Sequence, residues 1–507
     1  GNLVSGEALN HSGTASTSSA NAGSYTISNL TGITIADGSG GAASNYTLTG
    51  GTHNFTVNRR VVGVSGTRLY DATTNAVASD LSTHANLVGS QTLTLSGTGT
   101  IASKDVGSSK TVSVGTLALG NGSNGGLATN YTLSGGTHQL TVNQRPLNAT
   151  LARQYDGTTA SAGSTLSSFD ALQGGETLTM TGSGTAASAN VANGIAMSSN
   201  GNLALADGTG AASNYSLNST VINIAKRVLN SSGSKLYDAN TNALAGVITL
   251  SNLVSGEALN HSGTASTSSA NVGSYTISNL TGITIADGSG GTASNYTLTG
   301  GTHNFTINQR PLNATLARQY DGTTNAAGST LSSFDALQGG ETLTLSGSGT
   351  AANDNVANGI SVSSLGSLAL VNGTGLASNY SLNSASLNIT KRVLNSSGSK
   401  TYDANTNALA GAITLSNLVS GEALNHSGTA TISSANAGSY TISNLSGISI
   451  ADGSGGTASN YTLTGGTHNF TVNRRVVGVS GTRLYDATTN AVASDLSTHA
   501  NLVGSQT

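Results

Sequence analysis

A tyrosine followed directly by an aspartate could do acid–base chemistry or hold a sugar, and this pair recurs along the chain. It is found at Tyr70-Asp71, Tyr155-Asp156, Tyr237-Asp238, Tyr320-Asp321, Tyr402-Asp403 and Tyr485-Asp486. In every copy a basic residue stands two positions earlier, which is the same face of an extended strand. The structural alternative is that the tyrosine packs at the end of a small domain, the aspartate caps a turn and the basic residue pairs with a carboxylate. Because an active site in every repeat of an array is rare, the structural interpretation is favoured.

A glutamate begins a predicted strand in most repeats, at Glu7, Glu176, Glu257, Glu341 and Glu422. Gln91 occupies the equivalent position elsewhere. A catalytic carboxylate would not tolerate glutamine, so the position indicates hydrogen bonding or solvent exposure. No repeat adds a catalytic pair of its own, and phosphate-loop, serine-hydrolase, zinc-protease and dinucleotide motifs are absent from the sequence. We therefore predict that the protein is not an enzyme.

The sequence gives little sign of a metal site. None of the 9 histidines forms a local pair with metal-ligand spacing. Four follow Gly-Gly-Thr and are expected to face solvent, namely His53, His138, His303 and His468. The loop at Asp37 offers calcium one carboxylate and the equivalent loop at Asn121 offers none, whereas calcium sites usually combine several oxygen ligands. We predict no cofactor, with calcium as the open alternative.

The spacing of the Tyr-Asp pairs shows that the chain is an array of one repeat of about 83 residues. A second motif, Asn-Tyr-(Thr/Ser)-Leu, keeps the same period. The predicted divisions are a partial repeat at 1–60, full repeats at 61–145, 146–227, 228–310, 311–392 and 393–475, and a partial repeat at 476–507. We expect the sequence to be a segment of a longer chain, with its export signal and anchor outside it.

Alternating apolar and polar residues predict that each repeat is built of half-buried strands. Phe55 and Val57, for example, alternate with Thr56 and Asn58. Gly-Gly pairs at 50–51, 135–136, 300–301 and 465–466 predict tight hairpins. About six or seven strands per repeat favour an all-β fold, a tandem array of antiparallel, immunoglobulin-like β-sandwiches. The absence of spacers between repeats predicts a linear rod. A β-solenoid is the alternative, but it would show a sub-period of about 20–30 residues.

Composition narrows the classes of partner. Charged residues make up 8%, against about 25% in an average soluble protein, and the net charge is −3, so no nucleic-acid partner is predicted. No run of 18 apolar residues is present, so no membrane span is predicted for this segment. The absence of cysteine excludes disulfides and is compatible with a secreted bacterial protein.

Several motifs resemble a known family. Tyr-Asp-Gly-Thr-Thr at 155–159 and 320–324, Ala-Gly-Ser-Tyr at 22–25 and Ile-Thr-Lys-Arg at 389–392 resemble the YDG/MBG-type repeats of large secreted bacterial adhesins similar to filamentous haemagglutinin. The sequence departs from the Tyr-Asp-Gly pattern in four copies, which have alanine instead of glycine at Ala72, Ala239, Ala404 and Ala487. The resemblance implies an extracellular location at the bacterial cell surface.

The predicted function is that of a structural stalk or filament in an extracellular adhesin or biofilm matrix protein. The repeats would give length and stiffness, and their open sheet edges would permit self-association into fibres. The alternative is a multivalent array that binds host or matrix carbohydrate, or ice, through its Thr and Asn faces. Against that alternative, aromatic residues are only 4% and there is no tryptophan to stack on sugar rings.

Overall fold

The computed structural model describes residues 1–277 and 280–507, and its regular elements are β-strands and three-residue 3-10 turns. The all-β prediction is confirmed. The described residues divide into two compact units, the first comprising 1–229, 252–259 and 287–300 and the second comprising 230–251, 260–286 and 301–507. Within the described ranges no helix is long and apolar enough to cross a membrane.

The strands of the first half of the chain are short. They are Leu9–Gly13, Gly23–Thr26, Ile33–Asp37, Asn54–Val57, Arg60–Val61, Gly63–Leu69, Asn75–Val77, Thr83–Ala85, Leu93–Ser96, Thr98–Ile101, Gly107–Ser113, Ala118–Asn121, Tyr131–Thr132, His138–Asn143, Arg145–Gln154, Thr165–Phe169, Leu178–Thr181, Thr185–Ala186, Ala192–Ser199, Ala204–Asp207, Tyr215–Ala225 and Arg227–Val228.

The strands of the rest of the chain are given in the same way, in chain order. They are Asn230–Leu236, Asn242–Leu244, Ile248–Ser251, Leu259–Ser266, Gly273–Thr276, Ile283–Asp287, Tyr296–Thr297, His303–Asn308, Arg310–Gln319, Thr330–Phe334, Leu343–Ser346, Thr350–Ala351, Ala357–Ser364, Ala369–Asn372, Tyr380–Thr390, Arg392–Val393, Asn395–Thr401, Asn407–Leu409, Ile413–Ser416, Leu424–Ile432, Gly438–Asn444, Ile448–Asp452, Tyr461–Thr462, His468–Asn473, Gly478–Ser480 and Thr498–Ala500.

The 3-10 turns begin with alanine in every case. They are Ala43–Asn45, Ala78–Asp80, Ala128–Asn130, Ala212–Asn214, Ala245–Val247, Ala293–Asn295, Ala377–Asn379, Ala410–Ala412, Ala458–Asn460 and Ala493–Asp495.

In the first unit, the repeat at 146–227 shows how a sandwich-like domain is assembled. Its first strand, Arg145–Gln154, pairs with its last, Tyr215–Ala225, and this pairing is parallel. Thr165–Phe169 lies antiparallel on one side of this pair and Ala192–Ser199 on the other. A two-stranded sheet of Leu178–Thr181 and Ala204–Asp207 completes the repeat. Alternate residues of these strands are buried in the core, as the periodicity requires.

The second unit repeats this plan. Arg310–Gln319 pairs in parallel with Tyr380–Thr390, and Asn395–Thr401 pairs in parallel with His468–Asn473. Phe470 on the last strand is fully buried in a cluster with Ile432 and Ile442. Among the described residues the strand pairings stay within one repeat, apart from the residue at each boundary, rather than stacking coils into a solenoid.

The prediction that the Gly-Gly pairs form hairpins is wrong. At Gly135-Gly136 the chain does turn, with the Gly136 N–H donating to the Leu133 carbonyl over 2.9 Å. The flanking strands do not pair with each other, because Tyr131–Thr132 runs parallel to Arg60–Val61 and His138–Asn143 runs parallel to Gly63–Leu69. The glycines therefore form a corner within the last strand's path.

Successive repeats are joined without a spacer. In the first unit His138–Asn143 ends two residues before Arg145 begins the next strand, and in the second unit His303–Asn308 ends two residues before Arg310. Each last strand thus leads directly into the first strand of the following repeat.

Candidate functional site

The tyrosine of the first five Tyr-Asp pairs lies at the end of a repeat's first strand, whereas Tyr485 lies outside any strand. Tyr70, Tyr155, Tyr237 and Tyr320 are buried, with at most 5% of their surface exposed. Tyr402 is half-buried, and Tyr485 in the C-terminal segment is exposed. The Tyr70 N–H donates to the Asn143 carbonyl, so the strand pairing continues to the tyrosine itself. The backbone therefore fixes the direction in which the ring leaves the repeat.

The aspartate and the basic residue hold the loop that follows the tyrosine. Asp71 Oδ1 accepts hydrogen bonds from the Thr73 N–H and hydroxyl, both at 3.0 Å, and its Oδ2 lies 2.8 Å from Arg68 Nη1. The buried Arg68 guanidinium also donates to the carbonyls of Thr73 and Asn75. Where lysine replaces arginine, Lys235 Nζ contacts the equivalent loop at Asn240. These charges stabilise a turn, and both terminal nitrogens of the Arg68 guanidinium bond within it.

The tyrosine hydroxyl reaches a glutamate of the next repeat. In the first unit, the Tyr70 hydroxyl donates to Glu176 Oε1 over 2.6 Å, and the Tyr215 hydroxyl donates to Glu176 Oε2 over 2.8 Å. The Tyr215 hydroxyl also accepts from the Gln173 N–H. The two rings meet edge to face, with centroids 5.2 Å apart. We call this arrangement of one carboxylate between two tyrosines the Tyr–Glu–Tyr clasp.

The clasp occurs at four junctions between repeats in the described residues. In the first unit it joins Tyr70, Glu176 and Tyr215, and again Tyr155, Glu257 and Tyr296. In the second unit it joins Tyr237, Glu341 and Tyr380, and again Tyr320, Glu422 and Tyr461. Ring centroids lie 5.2 to 5.4 Å apart at all four.

The protonation states of the clasp favour hydrogen bonding over proton transfer. Burial, aided by the bond to a glutamate, raises the pKa of Tyr215 and of Tyr461 to about 12. Burial opposes ionisation of Glu176, but hydrogen bonds from Lys104, Tyr70 and Tyr215 outweigh it and lower the pKa of this carboxyl. At neutral pH the phenols are therefore donors and the Glu176 carboxylate is an acceptor, which suits a lasting contact rather than acid–base catalysis.

A buried asparagine forms a second contact at each junction. In the first unit, Asn214 Nδ2 donates to Asp105 Oδ1 over 2.9 Å, and Asn214 Oδ1 accepts from the Val106 N–H over 2.8 Å. In the second unit Asn460 makes the equivalent bonds to Asn355 and Val356. Sequence reasoning missed this role, although the asparagine belongs to the recurring Asn-Tyr-(Thr/Ser)-Leu motif.

Glutamine at the glutamate position also bonds to tyrosine. Gln91 Oε1 accepts a hydrogen bond from the Tyr131 hydroxyl, and Gln506 Nε2 donates to the Tyr402 hydroxyl. The position is therefore a hydrogen-bonding one in both chemical forms.

The expectation that the histidines after Gly-Gly-Thr face solvent is wrong for three of them. His138, His303 and His468 are buried, with 5 to 6% of their surface exposed. His138 Nε2 lies 2.8 Å from the Leu133 carbonyl oxygen, and its Nδ1 accepts from the Val64 N–H. The ring folds back over the Gly-Gly corner, because the turn leaves backbone polar groups that need partners.

The predicted candidates for calcium serve as turn caps. Asp37 Oδ1 accepts from the Ala43 N–H over 2.7 Å, and Asn121 Oδ1 accepts from the Ala128 N–H over 2.8 Å. Over residues 1–277 and 280–507, no group of three or more His, Asp or Glu side chains is placed to hold a metal ion.

Comparison with known proteins identifies one family. A family model described as YDG domain matches residues 56–141, 138–222, 225–303, 307–389 and 386–468, which is most of the chain. No curated protein matches it.

Proposed function

Because the chain belongs to the YDG domain family, as a tandem array of five matched repeats, we propose that it is a structural stalk or filament of an extracellular bacterial adhesin or biofilm matrix protein. The resemblance of the sequence to YDG-type repeats is confirmed. The observation that carries the proposed role is the recurrence of the same clasp at four junctions. An array needs identical, closed junctions if length and stiffness are its purpose.

The contacts at one junction are strong enough to hold neighbouring repeats together. A hydrogen bond to a charged group contributes about 1.5–3 kcal/mol, and an aromatic pair about 0.5–1.5 kcal/mol beyond its buried area. Two bonds to Glu176 and one ring pair would therefore contribute about 3.5 kcal/mol even at the lower end of these ranges. At that value, fewer than about 1% of junctions would be open at any moment.

Extension follows from the parallel pairing of first and last strands. The 10-residue strand Arg145–Gln154 has a length of about 33 Å, and the chain leaves the repeat in the direction in which it entered. The entry and exit of the chain therefore lie about one strand length apart in such a repeat.

Open sheet edges favour a further property, lateral self-association. Thr165–Phe169 is an open edge strand of its sheet in the first unit, as is Thr330–Phe334 in the second. The opposite edge of each sheet is covered, since the Ala186 N–H donates to the Thr159 carbonyl and the Ala351 N–H donates to the Thr324 carbonyl. The open edges present unpaired N–H and C=O groups to a second copy of the chain. Bundled arrays would form the matrix itself.

Electron microscopy of the purified chain at rising concentration tests these proposals. We expect particles of uniform length with little bending, and side-by-side bundles at high concentration. A matched variant with Glu176, Glu257, Glu341 and Glu422 replaced by alanine should bend more freely. Equal bending in both proteins would contradict the junction argument. Specific binding on a glycan array would favour the carbohydrate-binding alternative.

A further inference from the structure

The residue after each Tyr-Asp pair differs between repeats, and so does the loop of the next repeat that packs against it. The corner residue is glycine at Gly157 and Gly322, and the facing loops read Leu-Val-Ser-Gly-Glu at 253–257 and 418–422. The corner residue is alanine at Ala72 and Ala239, where the facing loops read Leu-Gln-Gly-Gly-Glu at 172–176 and 337–341.

A glycine corner has no room for a methyl group. In the first unit, a Cβ on Gly157 would lie 2.8 Å from Val254 Cγ1 and 3.4 Å from Glu257 Oε1. In the second unit, a Cβ on Gly322 would lie 2.8 Å from Val419 Cγ1. Both distances to valine are shorter than packed carbon atoms adopt, so the loop as it is folded at these two junctions has no room for an alanine corner.

An alanine corner packs against the third position of a loop, which is glycine there, whereas the position of the valine is taken by Gln173 or Gln338. In the first unit, a Cβ on Gly174 would lie 2.8 Å from Ala72 Cβ. In the second unit, a Cβ on Gly339 would lie 3.1 Å from Ala239 Cβ. The valine loops have serine at this third position, at Ser255 and Ser420, so the two kinds of corner are matched to loops that differ at their second and third positions.

Backbone conformation does not account for the difference. The corner residue has a positive φ in both kinds, 78° at Gly157 and 63° at Ala72. Alanine is therefore accepted in this conformation, at a cost in strain, when the neighbouring loop leaves room for it. What distinguishes Gly157 from Ala72 is the partner loop.

We infer that this contact selects which kind of repeat can follow which. Repeats 228–310 and 393–475 combine an alanine corner with a valine loop, so two repeats of this kind clash if placed in succession. Repeats 146–227 and 311–392 combine a glycine corner with a glycine loop, so their direct succession meets no such clash. The two kinds fit each other, and their alternation in the chain avoids the succession that clashes. This holds whether or not the array serves as a stalk.

The junction after Ala404 is packed differently and lies outside the rule. Its facing loop, Leu-Val-Gly-Ser-Gln at 502–506, has Val503 at the position of Val254 and Gly504 at the position of Gly174, and a Cβ on Gly504 would contact nothing within 4 Å.

Hydrogen–deuterium exchange of the full 507-residue chain tests the inference. Gly157→Ala should speed exchange at residues 155–160 and 252–258 by roughly tenfold, because overpacking opens that junction. The unchanged Gly322–Val419 junction is an internal control in the same molecule. The double variant Gly157→Ala/Val254→Ala should return to within about twofold of Val254→Ala alone.

Two results would overturn the inference. One is Gly157→Ala exchange equal to wild type, since the methyl group would then be accommodated. The other is a double variant as fast as Gly157→Ala, since backbone strain alone would then explain the effect. The converse pair of residues gives an independent test. Gly174→Ala should speed exchange at residues 172–176. The double variant Ala72→Gly/Gly174→Ala should then exchange at about the rate of Ala72→Gly alone.

Discussion

Replacing Glu341 with alanine is expected to open one junction of the second unit and leave the other closed. Glu341 Oε1 accepts from the Tyr237 hydroxyl over 2.5 Å, and its Oε2 accepts from the Tyr380 hydroxyl over 2.6 Å. Both tyrosines are buried, so truncation at Glu341 leaves two buried donors without their acceptor.

The expected cost can be worked out from these contacts. A buried donor left unsatisfied costs about 1–3 kcal/mol. Glu341 is only partly buried, so water can reach the vacated space, and the lower end of the range applies to each donor. Glu341→Ala should therefore destabilise the closed junction by about 2 kcal/mol, or about 30-fold in its opening equilibrium. Glu341→Gln should cost about half as much, because an amide oxygen still accepts one tyrosine, as Gln91 does from Tyr131.

The assay is hydrogen–deuterium exchange of the full chain, read at residues 235–240 and 376–382. The junction of Tyr320, Glu422 and Tyr461 serves as the control and should keep wild-type exchange. If the alanine and glutamine variants exchange alike, or if both junctions loosen together, the reasoning from local hydrogen bonding fails.

Three further predictions follow from the packing. The pKa of Tyr215 is about 12 in the folded state and about 10 in an unfolded chain. Above pH 10 the unfolded state therefore loses its proton first, and the free energy of unfolding falls as the pH rises from about 10 to 12. Denaturant midpoints should fall across this window, and they should fall less in Tyr215→Phe. Arg153→Met should loosen residues 156–160 by about 2 kcal/mol, because a buried guanidinium no longer bonds the loop, with faster exchange confined there. Phe470→Ala should cost about 3–5 kcal/mol in urea unfolding, whereas the equivalent Phe55→Ala, half-exposed in the N-terminal segment, should cost under about 1 kcal/mol; equal losses would contradict the burial argument.

Local patterns in the sequence predicted the strands well, because alternation depends only on near neighbours. The strand around Phe305, for example, follows directly from its period of two. The prediction of Gly-Gly hairpins was wrong because strand pairing here depends on distant residues. The strand after Gly135-Gly136 pairs with Gly63–Leu69, about 70 residues earlier. The residues of the turn do not specify that distant partner.

The Tyr–Glu–Tyr clasp was not predicted from the sequence, because its residues belong to different repeats. Tyr70 and Glu176 are 106 residues apart, and a search within one repeat would not bring them together. Their shared period, and the substitution of Glu by Gln91, were the available signals. Burial of His138 was missed because its polar partners appear only once the corner has formed.

The parallel pairing of each repeat's first and last strands also determines how it would respond to pulling. Tension applied along the chain enters the repeat at Arg145 and leaves near Ala225, at opposite ends of two neighbouring parallel strands. The hydrogen bonds between Arg145–Gln154 and Tyr215–Ala225 would then be sheared together, rather than unzipped one after another from an end. A cell tethered through such repeats would load many bonds in each at the same time, and rupture would require all of them to fail at once.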